Sequence, residues 1–376
     1  MPSLPALYAR FEAAWELRGE PLAGAPFLVK DLFATAGTKT GGGSAFYTET
    51  SSPAVADAAL VAHARESGAV LAGKTQTVEF AFGMTGENPH FGDCPHPLRD
   101  DLLAGGSSSG SAWAVGAGLV PWALATDTAG SIRVPASWCG AFGLRLVPGL
   151  AGPDELLPLS PSYDAPGWIA GTSDDLKTVT ATLLGGLPEA GRPPRVLWLG
   201  GYARYDNDGV RDACERYAAA CGWETSADAS TLYAAICAGV ETTYPVLGGA
   251  EAASVHRRLL ERFADRYDPV VRARLEAGAA RTEIEIGTAV AHRARIREMF
   301  AEFFEHYDAI ATPCVPGVAR PKSGHDAALR EELLRLNTPA SLAGLPAASH
   351  PVPVPGTGLT AGVQLVSAGL DRLVLG

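Results

Sequence analysis

The stretch Gly105–Arg133, GGSSSGSAWAVGAGLVPWALATDTAGSIR, constrains this chain more than any other segment. Two turns of glycine, alanine and serine, one around Ser107 and one at Ala129-Gly130-Ser131, bracket the apolar run Ala112–Ala125. Small residues allow backbone conformations and close approaches that larger ones forbid, so such turns present a neighbouring side chain with little steric cover. The apolar run packs between the turns and fixes the distance between Ser107 and Ser131, 24 residues apart. Ser131 is the nucleophile candidate.

A third participant lies upstream. The apolar segment Ala25-Pro26-Phe27-Leu28-Val29 ends in Lys30, followed by Asp31. A lysine closing a buried strand is costly to desolvate as a cation, so its pKa should fall and make it a usable base. The competing reading is a structural lysine paired with Asp31.

The segments PFLVKDLF, GGSSSGSAWAVGAG and TDTAGSIRVPASWCGAFGLR resemble the amidase signature family, serine hydrolases that use a Ser, cis-Ser, Lys triad. The resemblance runs from about Ala25 to Asp174, with weaker echoes at Asp308–Pro313 and Ser341–Pro346; ENPHFG and SYDAPGWIA are most similar to the indole-acetamide hydrolase branch. It implies one domain spanning 1–376, with a catalytic core over about 25–174 and a variable helical region over about 205–306. The implied fold is an α/β/α sandwich: a large, mostly parallel mixed twisted sheet covered by helices on both faces.

The implied chemistry is hydrolysis of a carboxylic acid amide through an acyl-enzyme. Ser131 attacks, Ser107 (after a cis Gly106-Ser107 peptide) relays the proton, and Lys30 receives it. Backbone N–H groups from Thr128, Ala129, Gly130 and Ser131 are expected to face the oxyanion. Phe82, Met84 and Trp168 are expected to wall an acyl pocket for neutral apolar or aromatic groups, and Asp164 to support the site from behind. Asp127 and Arg133 bracket the second turn and read as an ion pair holding its shape. No cofactor is required. An ammonia-supplying amidotransferase A-type subunit is the first alternative. A non-catalytic binding relative is the second, although such proteins lose the triad and all three residues are present here.

Composition removes other classes. A net charge of −11 and a pI near 5.2 provide no basic footprint for nucleic acid or an anionic membrane. Six cysteines without a C-x-x-C pair, in a chain of 376 residues that is 47% apolar, read as reduced thiols in a large core. His90 and His96 flank Cys94, but Pro89, Pro95 and Pro97 break any regular ligand face, so no metal is expected and His90 reads as a polar loop residue. Without a leader-like start or a membrane-length apolar run, a cytoplasmic enzyme is expected, acting on a small amide, with a homodimer left open.

Along the chain, Leu4–Leu17 reads as an amphipathic helix, and Asp57–Ser67 as a helix followed by a strand at Val70–Lys74, a βαβ rhythm. The loop Gly37–Ser44 reads either as a border of the site or as ordinary surface. A helix is expected to open at Pro135. Strands at Val196–Leu199 and Asp308–Thr312 and helices over Gly209–Ala220 and Thr231–His306 complete the reading.

Overall fold

The computed structural model describes residues 22–152, 154–187, 192–324 and 327–375; the expected helix Leu4–Leu17 lies outside them. Ten strands form one sheet: β1 Pro26–Lys30, β2 Val70–Thr75, β3 Trp122–Asp127, β4 Phe142–Arg145, β5 Ala165–Ala170, β6 Val196–Trp198, β7 Glu224–Thr225, β8 Ala309–Pro313, β9 Ala347–Val354 and β10 Leu359–Ser367. Their order is β2-β1-β3-β5-β4-β9-β10-β8-β6-β7. Parallel pairing holds at the two ends, β2-β1-β3 and β8-β6-β7, and every pairing between β3 and β8 is antiparallel. The sheet is therefore mixed, and the βαβ rhythm of the first strands describes its flanks rather than its middle.

The helices are α1 Ala45–Thr50, α2 Ala59–Glu66, α3 Ser109–Gly116, α4 Arg133–Trp138, α5 Ser173–Leu184, α6 Asp208–Ala220, α7 Ala227–Ile236, α8 Val240–Phe263, α9 Pro269–Ala279, α10 Glu283–Phe303 and α11 Ala327–Ala343. Their starts follow local chemistry. Thr172, Asn207 and Ser226 accept the exposed N–H groups of Asp175, Val210 and Ala229, and Thr282 with Glu285 forms a reciprocal capping box. Asp268 caps α9 just before Pro269, where the missing proline N–H costs nothing. Among the described residues, no helix is long and apolar enough to cross a membrane.

Alternation along β3 assigns the two faces. Trp122 and Leu124 pack with Leu176, Val179 and Leu183 of α5, whereas Ala123 and Ala125 pack with Ala112, Ala114 and Val115 of α3. Large side chains keep α5 at a distance, and alanines let α3 come close. The closeness is severe at Gly110, where a Cβ would stand 2.7 Å from the Gln76 carbonyl oxygen. This contact sets the turn before α3 over the end of β2, whose Thr75 pairs with Lys30 at the end of β1. The aromatic face is consolidated by Phe27 stacked on Trp122, with ring centroids 4.7 Å apart.

The hairpin β9–β10 in the middle of the sheet is absent from the sequence reading. Pro351 and Pro353 in β9 argue against a central strand. Pairing with β4 ends at Ser349, so both prolines lie past β4, where a missing N–H breaks no ladder on that side.

Candidate active site

β1 delivers Lys30 into a fully buried position beneath the turn that precedes α3. Its Nζ lies 2.8 Å from Ser107 Oγ, 2.9 Å from Ser108 Oγ and 2.9 Å from Thr126 Oγ1. The Ser108 hydroxyl donates to the Thr126 carbonyl at 3.1 Å, so toward Lys30 it accepts. A neutral amine satisfies this shell: two N–H groups donate to Ser108 and Thr126, and the lone pair accepts from Ser107. Burial pushes the Lys30 amine down to about 7, against the opposing pull of Asp127 and Asp164. Asp31 is engaged elsewhere, with its carboxylate 2.8 Å from Lys74 Nζ.

The Gly106-Ser107 peptide is cis, and its orientation is fixed on several sides. Gly106 N–H donates to the Met84 carbonyl at 2.8 Å, Thr77 Oγ1 donates to the Ser107 carbonyl at 2.9 Å, and Ser108 N–H donates to the Ser131 carbonyl at 3.2 Å. The last bond ties the two serine turns together.

Asp127, at the end of β3, organises the second turn. Its Oδ1 accepts from Gly130 N–H at 2.8 Å and Arg133 Nη2 at 2.8 Å; its Oδ2 accepts from Ile132 N–H at 3.1 Å and Arg133 Nε at 2.9 Å. Burial alone would raise this carboxyl group, but Arg133 and then Arg145 hold it well below the usual carboxylate range. Arg133 Nη1 continues to Asn337 O at 2.9 Å and Gln364 Oε1 at 2.6 Å, locking the turn to α11 and β10. Thr128 Oγ1 donates to Asp164 Oδ1 at 2.6 Å, while Leu159 and Ser160 N–H groups bind its other oxygen.

This arrangement corrects the expected oxyanion set. Gly130 N–H points at Asp127, so among the described residues the unengaged N–H groups of the turn are those of Thr128, Ala129 and Ser131. Gly130 has a different task. Its φ is 125°, and a Cβ there would lie 2.9 Å from Asn337 and 3.1 Å from Met84. α4 opens at Arg133, two residues earlier than expected, because the turn runs straight into it.

Beside Ser131 is a cavity of about 20 Å³ lined by Phe82, Met84, Thr128, Ala129, Leu159, Tyr244, Arg330 and Leu334, among others. Phe80 and Ala81 hold left-handed conformations, with φ of 49° and 60°, that set Phe82 and Met84 against the turn; such values are uncommon outside glycine and concentrate at functional sites. The loop Gly37–Ser44 supports this wall, since Gly42 O accepts from Phe80 N–H at 2.6 Å.

The Amidase family model matches residues 6–196 and 217–374. This chain belongs to the amidase family. It is 32% identical over 390 residues to 1-carboxybiuret hydrolase subunit AtzE of Pseudomonas sp. (strain ADP), covering 93% of this chain and 82% of that protein. Amidase 1 of Oryza sativa subsp. japonica is 43% identical over 164 residues, but the match spans only 44% of this chain and 38% of the rice protein. A crystal structure of an amidase matches with a TM-score of 0.82 at 32% identity, over 99% of this chain and 86% of that one.

Two placements in this amidase-family chain differ from the sequence reading. Trp168 does not wall the cavity: it is fully buried on the α5 face of the sheet, its Nε1 donating to Thr180 Oγ1 at 3.1 Å, whereas α3 and its serine turn pack on the opposite face. The neutral pocket expected from Phe82 and Met84 also contains a guanidinium, that of Arg330, whose Nε is buried with no hydrogen-bond partner. Ser108, Thr126, Arg145, Tyr244 and Arg330 escaped sequence reasoning. Arg145 shared a motif with Arg133 and was available to it: its Nη1 reaches the Asp127 carbonyl and lies 3.1 Å from Tyr163 O. His90 Nε2 meets buried Glu79 at 2.8 Å, and His96 Nε2 meets the Trp138 carbonyl at 2.9 Å.

Proposed function

We propose that this protein hydrolyses a carboxylic acid amide to carboxylate and ammonia, with Ser131 as nucleophile, Ser107 as relay and Lys30 as base. The observation that carries this reading is the buried Lys30 amine, 2.8 Å from Ser107 Oγ and lowered to about 7, where a neutral base is available near neutral pH. Ser131 Oγ attacks the carbonyl carbon and gives its proton to Ser107, which passes its own to Lys30. The oxyanion that forms is met by the N–H groups of Thr128, Ala129 and Ser131. Collapse expels the amine, which takes the proton back along the same path, and water releases the acid from the Ser131 ester by the reverse relay. The scheme uses no cofactor. We place it in the cytoplasm on its cysteine usage, which reads as reduced thiols in a large core.

The experiment is ammonia release by the purified chain from a panel of aliphatic, aryl and indole acetamides without ATP or any second protein. Release that Ser131→Ala abolishes supports the proposal. Release only when another subunit is added would favour the ammonia-supplying reading.

A further inference from the structure

We propose, building on the amidase reading above, that the substrate carries a carboxylate on a short acyl chain and that Arg330 binds it. Arg330 extends from α11 into the cavity beside Ser131, Thr128 and Ala129, on the side a substrate's acyl portion would occupy. Its Nε is shut away from water without a hydrogen-bond partner, and among the described residues no carboxylate lies within 4 Å of its guanidinium. Arg133 and Arg335 are matched to Asp127 and Glu332, and Arg145, although its Nη2 is also buried without a hydrogen-bond partner, lies beside the Asp127 carboxylate; Arg330 has no such carboxylate among the described residues. A guanidinium withdrawn from water needs an acceptor, and its planar fork fits a carboxylate with two parallel bonds.

A second cation reinforces the first. Arg274 of α9 donates to the Phe82 carbonyl and lies 5.9 Å from the Phe82 ring centroid, against the cavity wall. Burial, and then the nearby Arg330 charge, push Arg274 down to about 10; burial also pushes Arg330 down. Asp268 and Glu87 also pull on Arg274, so it is Arg330, with its unpartnered Nε on the cavity, whose electrostatics an anionic ligand completes. Arg133, the cation nearer in sequence, is committed to Asp127, Asn337, Gln364 and Ser341 and has no donor left for a ligand. Ser131 and Arg330 line the same cavity of about 20 Å³, room for about one water molecule, so only a short chain separates amide from carboxylate.

The test compares ammonia release from malonamate and succinamate with release from propionamide and butyramide, which lack the charge. The wild type is expected to favour the anionic member of each pair by about 10⁴-fold in kcat/KM, the scale on which a site built for a polar group rejects an analogue lacking it. Arg330→Gln is expected to collapse that ratio toward one, and Arg330→Lys to restore part of it. Equal or faster turnover of the neutral amides, or an equal loss on both members of each pair in Arg330→Gln, overturns the proposal. Ammonia from none of the four would count against the amidase reading instead. Calorimetric titration with succinate then decides the carboxylate site without turnover: binding by the wild type and not by Arg330→Gln supports it, and binding by neither overturns it.

Discussion

Arg133 and Arg330 are two guanidiniums beside the same serine turn, and they are held in opposite ways. Arg133 is fully buried, and Asp127, Asn337, Gln364 and Ser341 take up its donors. Arg330 is partly buried, opens on the cavity and keeps an unpartnered Nε. The first belongs to a closed network that shapes the turn, whereas the second leaves a charge for something outside the protein to meet. Burial of a cation is thus not by itself a mark of either role; its acceptors decide. Lys30 stands between the two cases: burial drives it toward the neutral amine, and three oxygens still give its nitrogen hydrogen-bond partners.

The largest expected effect separates the base from the frame. Lys30→Met should lower turnover by about 10⁴-fold, the scale seen when one member of an acyl-transfer triad is removed. Its stability should suffer less than that of Arg133→Met, because the amine's fall from 10.5 to about 7 records a burial cost that methionine does not carry. Ammonia release and urea unfolding of the two variants measure both halves. A Lys30→Met enzyme with near wild-type rates would remove Lys30 from the chemistry.

The closed network gives the next effect. Arg133→Met leaves Asp127 buried with its main partner gone and should cost about 3–5 kcal/mol in unfolding free energy. Arg330→Met deletes a cation that has no protein partner and should cost nothing or raise stability. Equal losses in the two variants would mean that Arg330 is braced by the fold as Arg133 is, and the contrast would fail.

The readable and unreadable parts of the chain divide along the same line. Ser107, Ser131, Asp127 and Arg133 sit in short segments whose glycines and serines mark tight turns, and Lys30 closes a short apolar strand, so their neighbourhood could be reasoned about locally. Gly130's commitment to Asp127 could not, because the spacing of N–H groups does not say which way each points. Trp168 was misplaced for a related reason: its motif lies beside the site, but strand alternation turns its ring to the other face. Arg274 and Arg330 lie on α9 and α11, among helices with many arginines on solvated faces, and nothing in their spacing distinguishes the two that turn inward. Their positions are set by how those helices pack against α8, which for α11 is a contact between distant segments. The β9–β10 hairpin was hidden because Pro351 and Pro353 are harmless only where β4 has already ended.

Acidity probes the lysine directly. The folded pKa of about 7 lies below the ordinary 10.5, so between those values the unfolded chain binds the extra proton and stability rises with pH. Below about 7 the amine is charged in both states and the full cost is present, about 5 kcal/mol at 1.36 kcal/mol per tenfold. Turnover should correspondingly fall about tenfold per pH unit below that point, as the base is lost. A kcat/KM profile flat down to pH 5 would contradict a neutral Lys30 as the proton acceptor. Arg330→Gln should leave the midpoint of this limb where it is, since Arg330 does not contribute to the Lys30 shift.

The smallest effect tests whether the oxygens around Lys30 tune it. Thr126 Oγ1 lies 2.9 Å from Nζ, and as an acceptor it favours the ammonium over the amine. Thr126→Val keeps the shape and removes that acceptor, so the charged form loses a hydrogen bond worth about 1 kcal/mol and the Lys30 pKa falls further. The acidic limb of the rate profile should move to lower pH by less than about one unit, in the direction that leaves more base at neutral pH. Asp164→Asn should move it the same way, because Asp164 is one of the two carboxylates that hold the Lys30 pKa up. The two variants differ in a second readout. Asp164 receives Thr128 Oγ1 and two backbone N–H groups, so its replacement also loosens the turn and lowers the plateau rate, whereas Thr126→Val leaves that turn's hydrogen bonds in place. A limb that moves to higher pH in Thr126→Val would mean that the threonine hydroxyl donates to a neutral amine, reversing the proton arrangement assigned to the shell.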